Sequence, residues 1–486
     1  MTTATSNDHT FTAVSPATGE VVWEGSATSP EAVRRAVAKA RAADEAWCLT
    51  SPDEREAVAL RFKAAAVERE DELTAAISRE TGKPLWEARS EAKLVPAKVD
   101  LAIRALQERT GNAHIDLPQG SGVLRYQPVG VMAVLGPFNF PAHLPNGQIV
   151  PALLAGNAVV FKPSEYTPGT GELLAACWQD AGLPEGVLQV VQGARETGAA
   201  LVEADVDGVL FTGSHAGGRA IHRALAGRPE VLLALEMGGN NPIVVHDAAD
   251  LDAAATLVAV SAFISAGQRC TCARRLIVID GPEAEALLER ITKAADALIV
   301  GLPDEDPAPF MGPVISAAAG QRVLDAQADL ITRGGVALRS VETQRGNPAL
   351  LSPGIVDVTA VADRRDEEVF GPLLQVVRVT DLDAAFDEVN RTAFGLAAAL
   401  LSDRVEHYET FKRRVRAGVI NWNQPTTGAS GRLPFGGLGA SGNHRPAGYH
   451  AADFCAAATA AVESPELSLP SALLPGLNFP LTPDQS

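Results

Sequence analysis

The chain has 486 residues, of which 46% are hydrophobic and 21% charged, an ordinary globular composition with room for two or three domains. It carries 41 lysines and arginines against 59 aspartates and glutamates, a net charge of −18 that disfavours nucleic acid and anionic membrane surfaces as partners. No apolar run approaches the roughly 20 residues that span a bilayer, and the polar start carries no signal-peptide core.

The predicted elements begin with a hairpin over Val14–Glu24, after first residues that we expect to be disordered. Ser29 followed by Pro30 predicts an N-cap and a first helical position. A second helix is predicted after Ser51, because Glu54 stands at capping-box spacing from it.

From residue 131 onward, strand-like and helix-like segments alternate. The predicted strands are 131–135, 158–162, 187–191, 208–212, 231–235 and 243–245, and the helices between them include 169–181, 196–203 and 215–226. This alternation predicts an α/β fold with a mostly parallel sheet covered on both faces.

The five cysteines are few and scattered, at positions 48, 177, 270, 272 and 455. Cys270 and Cys272 are only two residues apart and no histidine follows at ligand spacing, so we predict no metal site. The set is typical of a reducing compartment, and we expect a cytoplasmic protein.

Three short stretches carry a thiol, a carboxylate and an amide. Cys270 follows Gly267 on a predicted turn, Glu236 precedes two glycines in apolar surroundings, and Asn139 follows a predicted strand. Oxidation of an aldehyde through a covalent thioester needs these groups: a thiolate nucleophile, a neutral donor for the oxyanion and a base for water. Cys272 is expected only to pack.

A possible phosphate site lies in the turn from Phe211 to Gly218. Its small residues join a strand to a helix, where free amides can bind a pyrophosphate. The usual Gly-x-Gly-x-x-Gly fingerprint is missing, and such a turn is often only a packing device. The stretch Phe161–Glu165, at the end of an earlier strand, strengthens the interpretation.

The stretches around Asn139, Glu236 and Cys270, the spacing between the last two, and the segment Ser441–Pro446 resemble the aldehyde dehydrogenase superfamily. The resemblance implies a Rossmann-type NAD-binding domain, an α/β catalytic domain and a small oligomerisation arm that makes a homodimer or homotetramer. The implied domains are 1–107 with 127–238 for NAD, 239–435 for catalysis and 108–126 with 450–465 for the arm, before an irregular tail at 466–486.

The resemblance also implies site residues and NAD as cofactor. The implied catalytic residues are Cys270 as nucleophile, Glu236 as base and Asn139 as oxyanion donor. The implied cofactor residues are Lys162 and Glu165 at the adenine ribose, Gly213 and Ser214 at the phosphates, Gly193 near the adenosine, Glu368 and Phe370 at the nicotinamide ribose and ring, and Ser164 and Gly218 beside them.

The implied substrate is a small aldehyde with two carboxylates, which a net acidic protein can bind only through local basic residues. We predict Arg445, Arg432 and His444 for this role, since an arginine fork binds a carboxylate with two hydrogen bonds. Arg269, next to the nucleophile, is a further candidate whose direction the sequence does not fix.

Two other classes of function stay open from the residues alone. A cysteine hydrolase would need a histidine near Cys270, for which His143, His215, His246 and His444 are the candidates. A non-catalytic binding protein on the same scaffold would not need the intact set of thiol, carboxylate and amide. A CoA-acylating relative is disfavoured because it does not need Glu236 to activate water.

Overall fold

The computed structural model describes residues 10–117, 120–467 and 475–477. The predictions for residues 1–9 and for most of the tail lie outside this range. The helices are α1 (Pro30–Trp47), α2 (Pro52–Glu68), α3 (Glu70–Thr81), α4 (Leu85–Arg109), α5 (His143–Ala155), α6 (Pro168–Asp180), α7 (Arg195–Glu203), α8 (His215–Ala224), α9 (Leu251–Phe263), α10 (Pro282–Ala297), α11 (Ala317–Thr332), α12 (Leu382–Val389), α13 (Val405–Arg414) and α14 (Ala451–Cys455).

The strands follow the same chain order. They are β1 (Thr10–Val14), β2 (Val21–Ser26), β3 (Ala113–Leu117), β4 (Gly120–Pro128), β5 (Val131–Leu135), β6 (Ala158–Lys162), β7 (Leu188–Val190), β8 (Gly208–Gly213), β9 (Leu232–Met237), β10 (Asn241–Val245), β11 (Ala273–Ile279), β12 (Val336–Arg339), β13 (Thr343–Gln344), β14 (Asn347–Leu351), β15 (Gly354–Asp357), β16 (Leu373–Val379), β17 (Phe394–Gly395), β18 (Ala397–Leu401), β19 (Val419–Trp422), β20 (Pro434–Phe435), β21 (Leu438–Gly439), β22 (Ala447–Gly448) and β23 (Ala456–Glu463).

The predicted starts of the first two helices are confirmed. Ser29 caps α1 by accepting a hydrogen bond from the backbone N–H of Ala32, at 3.2 Å. Ser51 and Glu54 form the predicted capping box of α2. The predicted hairpin is the antiparallel pair β1 and β2.

The first large sheet has five parallel strands in the order β7-β6-β5-β8-β9. Successive side chains of a strand point to opposite faces. Along β5, Val131 and Ala133 pack into one core and Met132 and Val134 into another. Both faces are therefore covered, which explains why the strand is apolar throughout.

The second large sheet has the order β12-β15-β16-β11-β10-β18-β19, and all its pairs are parallel except β12 with β15. Asn241 at the start of β10 pairs with Ala273 at the start of β11. The segments that precede β10, β11 and β16 therefore share one edge of this sheet. That edge and the carboxyl edge of the first sheet supply the walls of the site described below.

A third, antiparallel sheet has the order β23-β4-β3. Its strands come from the two segments predicted to form the arm, and β4 runs two residues past the predicted bound at 126. The boundary between the predicted domains and the role of this sheet in assembly stay predictions. Among the described residues, no helix is both long and apolar enough to cross a membrane.

Candidate active site

The loop that carries Cys270 joins α9 to β11 through an unusual backbone. Ser265, Ala266 and Gly267 have φ angles of 57°, 52° and 70°. A residue with a side chain in this region costs on the order of 1–3 kcal/mol, and such strain is concentrated at functional sites. Gly267 cannot be replaced, because a Cβ there would lie 2.1 Å from the carbonyl oxygen of Gly371.

Two arginines hold this loop. The buried Arg274 donates hydrogen bonds to the carbonyls of Gly267, at 2.6 Å, and Arg269, at 3.0 Å. Arg269 donates to the hydroxyl of Ser265 and to Glu87 on α4, both at 2.8 Å. The side chain of Arg269 is therefore engaged in supporting the loop. Glu87 is far away in the chain, and no sequence pattern indicated its part in the site.

Desolvation of the Cys270 thiol, together with the nearby carboxylates of Glu368 and Glu236, raises its pKa to about 12. The side-chain amide of Asn241 donates to the carbonyls of Cys270, at 2.7 Å, and Cys272, at 2.9 Å. Cys272 itself is fully buried, as expected of a packing residue.

Glu236 lies inside β9, one residue beyond the predicted strand, and is only 5% exposed. Its Oε1 accepts a hydrogen bond from the backbone N–H of Ala447 at 3.2 Å, and its Oε2 has no partner among the described residues. Desolvation raises its pKa to about 8. A carboxylate that ionises near neutral pH is suited to general base catalysis.

Asn139 lies in the loop after β5 and is buried. Its side-chain Nδ2 donates to the carbonyl of Gln268 at 2.9 Å, in the loop of the nucleophile. An amide has a second N–H, which stays available for an oxyanion.

One cavity of about 1330 Å³ contains all three groups. The predicted cofactor residues that also line it are Lys162, Ser164, Glu165, Gly213, Ser214, Glu368 and Phe370. They follow the carboxyl ends of β6 and β8 or precede β16, which is where ligands bind in α/β sheets of this kind.

The cavity residues at the carboxyl ends of β6 and β8 suit a dinucleotide. The Nζ of Lys162 donates to the carbonyls of Pro163, at 2.7 Å, and Gly193, at 2.6 Å, and lies 3.9 Å from Glu165. Lysine has three N–H donors, so one remains for a ribose hydroxyl. Ser214 caps α8, whose N-terminus faces the cavity and favours phosphate.

Glu368 lies close enough to Cys270 to act on its thiol electrostatically, and the ring of Phe370 lies 5.3 Å from the guanidinium of Arg274. The Oε1 of Glu368 accepts from the N–H of Gly239 at 3.1 Å and lies 3.7 Å from Nη2 of Arg274. Gly238 is required here, because a Cβ would overlap the Glu368 carboxylate. Burial raises the pKa of Glu368.

Two predicted cofactor residues do not line the cavity. Gly193 has a φ of 146° and supplies the carbonyl that Lys162 binds. A Cβ at Gly218 would lie 2.3 Å from the sulfur of Met237. Their neighbours Lys162 and Met237 do line the cavity.

The predicted substrate residues Arg432, His444 and Arg445 are exposed and lie outside the cavity wall. The segment that contains the last two supports β9 instead. The hydroxyl of Ser441 donates to the carbonyl of Gly238 at 2.7 Å, and Asn443 accepts from the N–H of Leu235 at 2.9 Å. This segment therefore positions Glu236.

One cluster outside the cavity carries donor atoms of the kind that bind metals: His246, Asp247 and His407. The two imidazole rings are stacked, with centroids 5.4 Å apart and planes at 19°. Nitrogen lone pairs lie in the ring planes, so stacked rings direct them side by side instead of at one point. We assign no metal to this cluster.

Comparison with known proteins identifies the class. The sequence pattern of the Aldehyde dehydrogenase family matches residues 2–460. The chain belongs to the aldehyde dehydrogenase family, which confirms the resemblance and the α/β fold predicted from it.

Its relatives have narrower names. N-succinylglutamate 5-semialdehyde dehydrogenase from Pseudomonas fluorescens (strain Pf0-1) is 52% identical over 470 residues, 96% of each chain. The protein of the same name from Ectopseudomonas mendocina (strain ymp) is 54% identical over 465 residues, again 96% of each chain. A solved structure, the putative methylmalonate-semialdehyde dehydrogenase from Sinorhizobium meliloti 1021 complexed with NAD, has a TM-score of 0.90 at 26% identity and covers 96% of this chain and 97% of its own.

Proposed function

We propose that the protein oxidises N-succinylglutamate 5-semialdehyde to N-succinylglutamate, with NAD as acceptor, and thereby serves arginine catabolism. The chemistry is supported by the meeting of Cys270, Glu236 and Asn139 in one cavity. The choice of substrate is supported by the names of relatives that are 52% and 54% identical over nearly the whole chain.

The reaction begins when the sulfur of Cys270 attacks the aldehyde carbon. The high pKa of this thiol means that it is protonated in the free protein, so the sulfur must give its proton to water before it attacks. The side-chain amide of Asn139 and the backbone N–H of Cys270 hold the resulting oxyanion. Each such donor typically supplies about 2.7–4 kcal/mol of transition-state stabilisation.

NAD, when bound, would supply the acceptor for the hydride that leaves the carbon held on Cys270. The residues of this chain that would hold it are the helix N-terminus at Ser214 for the pyrophosphate, Lys162 with Glu165 for one ribose, and Glu368 for the other. Carboxylates accept hydrogen bonds from ribose hydroxyls, and Phe370, which lines the cavity, would give the nicotinamide ring an apolar neighbour. NAD is also the ligand named for the Sinorhizobium meliloti structure.

Hydrolysis of the Cys270 thioester completes the reaction. Glu236 removes a proton from water, which attacks the acyl carbon and releases the carboxylate product together with the free thiol. The unpartnered Oε2 of Glu236 is the oxygen available for this water. Its pKa of about 8 lets it accept the proton without a large energetic penalty.

The protein acts as a homodimer or homotetramer in this proposal. The antiparallel sheet of β3, β4 and β23 has two edge strands with exposed apolar side chains at Ile115 and Val462. Exposed strand edges invite pairing with another chain. The required free thiol suits a reducing compartment, the cytoplasm.

A cysteine hydrolase is less well supported. Of the four candidate histidines only His143 lines the cavity, and burial lowers its pKa to about 3, which makes it a weak base. His215, His246 and His444 lie outside the wall.

Initial rates of NAD reduction over a panel of aldehydes test the proposal. The panel contains N-succinylglutamate semialdehyde, glutamate semialdehyde, succinate semialdehyde and simple aliphatic aldehydes. We expect the highest kcat/KM with the first. A clearly higher value with any other member would contradict the assigned substrate, and no NAD reduction with any of them would contradict the activity.

A further inference from the structure

We propose that Lys98 binds a carboxylate of the substrate, in the part of the cavity away from the cofactor residues. This inference rests on the proposed function, because it assumes an aldehyde that carries a carboxylate. The inference assigns carboxylate binding to Lys98, which lines the cavity, and not to the exposed Arg432, His444 and Arg445.

The sequence of α4 places Lys98 on the face of the helix that borders the cavity. Leu94, Ala97, Lys98 and Leu101 all line it, and residues spaced by three and four lie on one side of a helix. The other three members of this stripe are apolar. Lys98 is therefore the one charged group that α4 presents to the cavity.

The ammonium group of Lys98 is buried without a carboxylate partner among the described residues. The residue is only 5% exposed, and its Nζ donates to the carbonyl of Gly448 at 3.2 Å. Burying an ammonium without an opposite charge is costly. Lys83, which is 6% exposed, has the carboxylate partner that Lys98 lacks, because its Nζ lies 2.7 Å from Glu91.

The groups that face Lys98 would not repel an anion. His143 on α5 is neutral, since its pKa is lowered to about 3, and its buried Nδ1 has no partner among the described residues. Cys455 on α14 is a neutral thiol, because burial raises its pKa. Gly147 on α5 faces Lys98, and a Cβ there would lie 3.8 Å from its Nζ.

Lys98 is also connected to the catalytic carboxylate of Glu236 by a short path. Lys98 binds the carbonyl of Gly448, and the preceding residue Ala447 donates its N–H to Glu236. Two hydrogen bonds and two residues of backbone connect the ammonium to the catalytic carboxylate, so the two groups lie within about 14 Å of each other. A carboxylate attached to the carbon chain of the aldehyde can reach across such a distance.

Steady-state kinetics of Lys98→Met test the inference, because methionine keeps most of the length of the side chain and removes the charge. We expect KM for N-succinylglutamate semialdehyde to rise by about 10-fold or more, since losing one partner of a buried charge pair is costly. KM for an uncharged aldehyde of similar length should change little, and kcat should change less than KM. Lys98→Arg should recover part of the loss.

Lys93→Met is the matched control, since Lys93 is an exposed lysine on the same helix and should leave both KM values unchanged. An equal rise in KM for both aldehydes, or no rise for the anionic one, would overturn the role of Lys98. If wild type prefers another carboxylate-bearing aldehyde and Lys98→Met removes that preference, the role of Lys98 stands and the assigned substrate fails. If wild type prefers no carboxylate-bearing aldehyde, both fail.

A pH series gives a second readout. Burial lowers the pKa of Lys98 to about 8, so wild-type KM for the anionic substrate should rise as the pH increases above that value and the ammonium loses its proton. The KM of Lys98→Met should lack this rise. A rise of equal size in the variant would assign the titration to another group.

Discussion

The two ends of the cavity are built in different ways. At the cofactor end, the functional groups follow or precede parallel strands, as Lys162 does at the end of β6 and Ser214 after β8. At the other end, the wall comes from helices α4 and α5, from the loop residue Gly431 and from Gly448 of the short strand β22. Strand ends hold groups in short contiguous stretches, whereas the helical end combines single residues from distant parts of the chain.

This difference decides what could be predicted from sequence. Seven of the cofactor residues that the family resemblance implied line the cavity, and each belongs to a short stretch next to a strand. Arg432, His444 and Arg445 were predicted to bind substrate from their charge and their nearness to a motif. Neither property indicates whether a residue lies inside a cavity, and all three are exposed. That motif supports β9 through Ser441 and Asn443, which sequence alone could not reveal.

The largest expected effect is at the junction of the two ends. Cys270→Ala should abolish aldehyde oxidation while NAD still binds, because the thiol forms the covalent bond and does not hold the cofactor. Rates of NAD reduction and the quenching of protein fluorescence by NAD measure the two properties. Cys272→Ala is the control and should keep most of the activity, since its side chain packs in the core. Substantial turnover by Cys270→Ala would refute the assignment.

Glu236→Gln should act mainly on the second half of the reaction. Hydrolysis should slow by roughly 100-fold or more, the usual contribution of a general base. Stopped-flow measurement should then show a burst of reduced NAD followed by slow turnover. In wild type, kcat should rise through a pH of about 8 as the carboxylate ionises, and the variant should lack that rise. Equal loss of burst and turnover would mean that Glu236 acts earlier, on the thiol.

The fold could be predicted further than the site. The alternation of apolar strands and helices after residue 131 indicated a parallel sheet, and β5 and β6 have the predicted bounds. The buried polar contacts could not be predicted, because they join residues far apart in the chain. Glu87 binds Arg269, and Lys98 binds Gly448, without any local pattern that marks them.

The preference for NAD over NADP tests the cofactor end of the cavity, where most of the predicted residues line the wall. NAD should be preferred to NADP by about 10-fold or more, since the Glu165 carboxylate accepts a bond from a ribose hydroxyl but repels a phosphate. Like charges at 4 Å cost about 4 kcal/mol at an effective dielectric near 20, and the partial exposure of Glu165 reduces that value. Glu165→Gln should narrow the preference in kcat/KM. Equal efficiency of wild type with both cofactors would contradict this role.

Measurements of folding stability test the helical end of the cavity. There Lys98 should favour substrate binding and lower the free energy of unfolding. Lys98→Met should stabilise the folded protein at pH 7 by about 1–2 kcal/mol, because it removes a buried ammonium without an opposite charge. The pKa of Lys98 is lowered from 10.5 to about 8, so the unfolded chain binds more protons between these values and wild-type stability rises with pH across that window. The advantage of the variant should therefore shrink as the pH rises from 8 towards 10.5. Denaturant unfolding at several pH values measures it, and a less stable variant at pH 7 would argue for a packing role.

The smallest expected effect separates the two assignments of the substrate carboxylate. Arg445 is exposed and outside the cavity wall, so Arg445→Ala should change KM for the anionic aldehyde by less than about threefold, within the range of a surface charge in water. The long-range attraction it contributes should be screened by salt, so any small effect should disappear at high ionic strength. Lys98→Met should keep its effect there, because a buried pair is screened far less. A large, salt-resistant rise in KM for Arg445→Ala alone would return the role to the residue predicted from sequence, with the loop around it moving to the cavity when substrate binds.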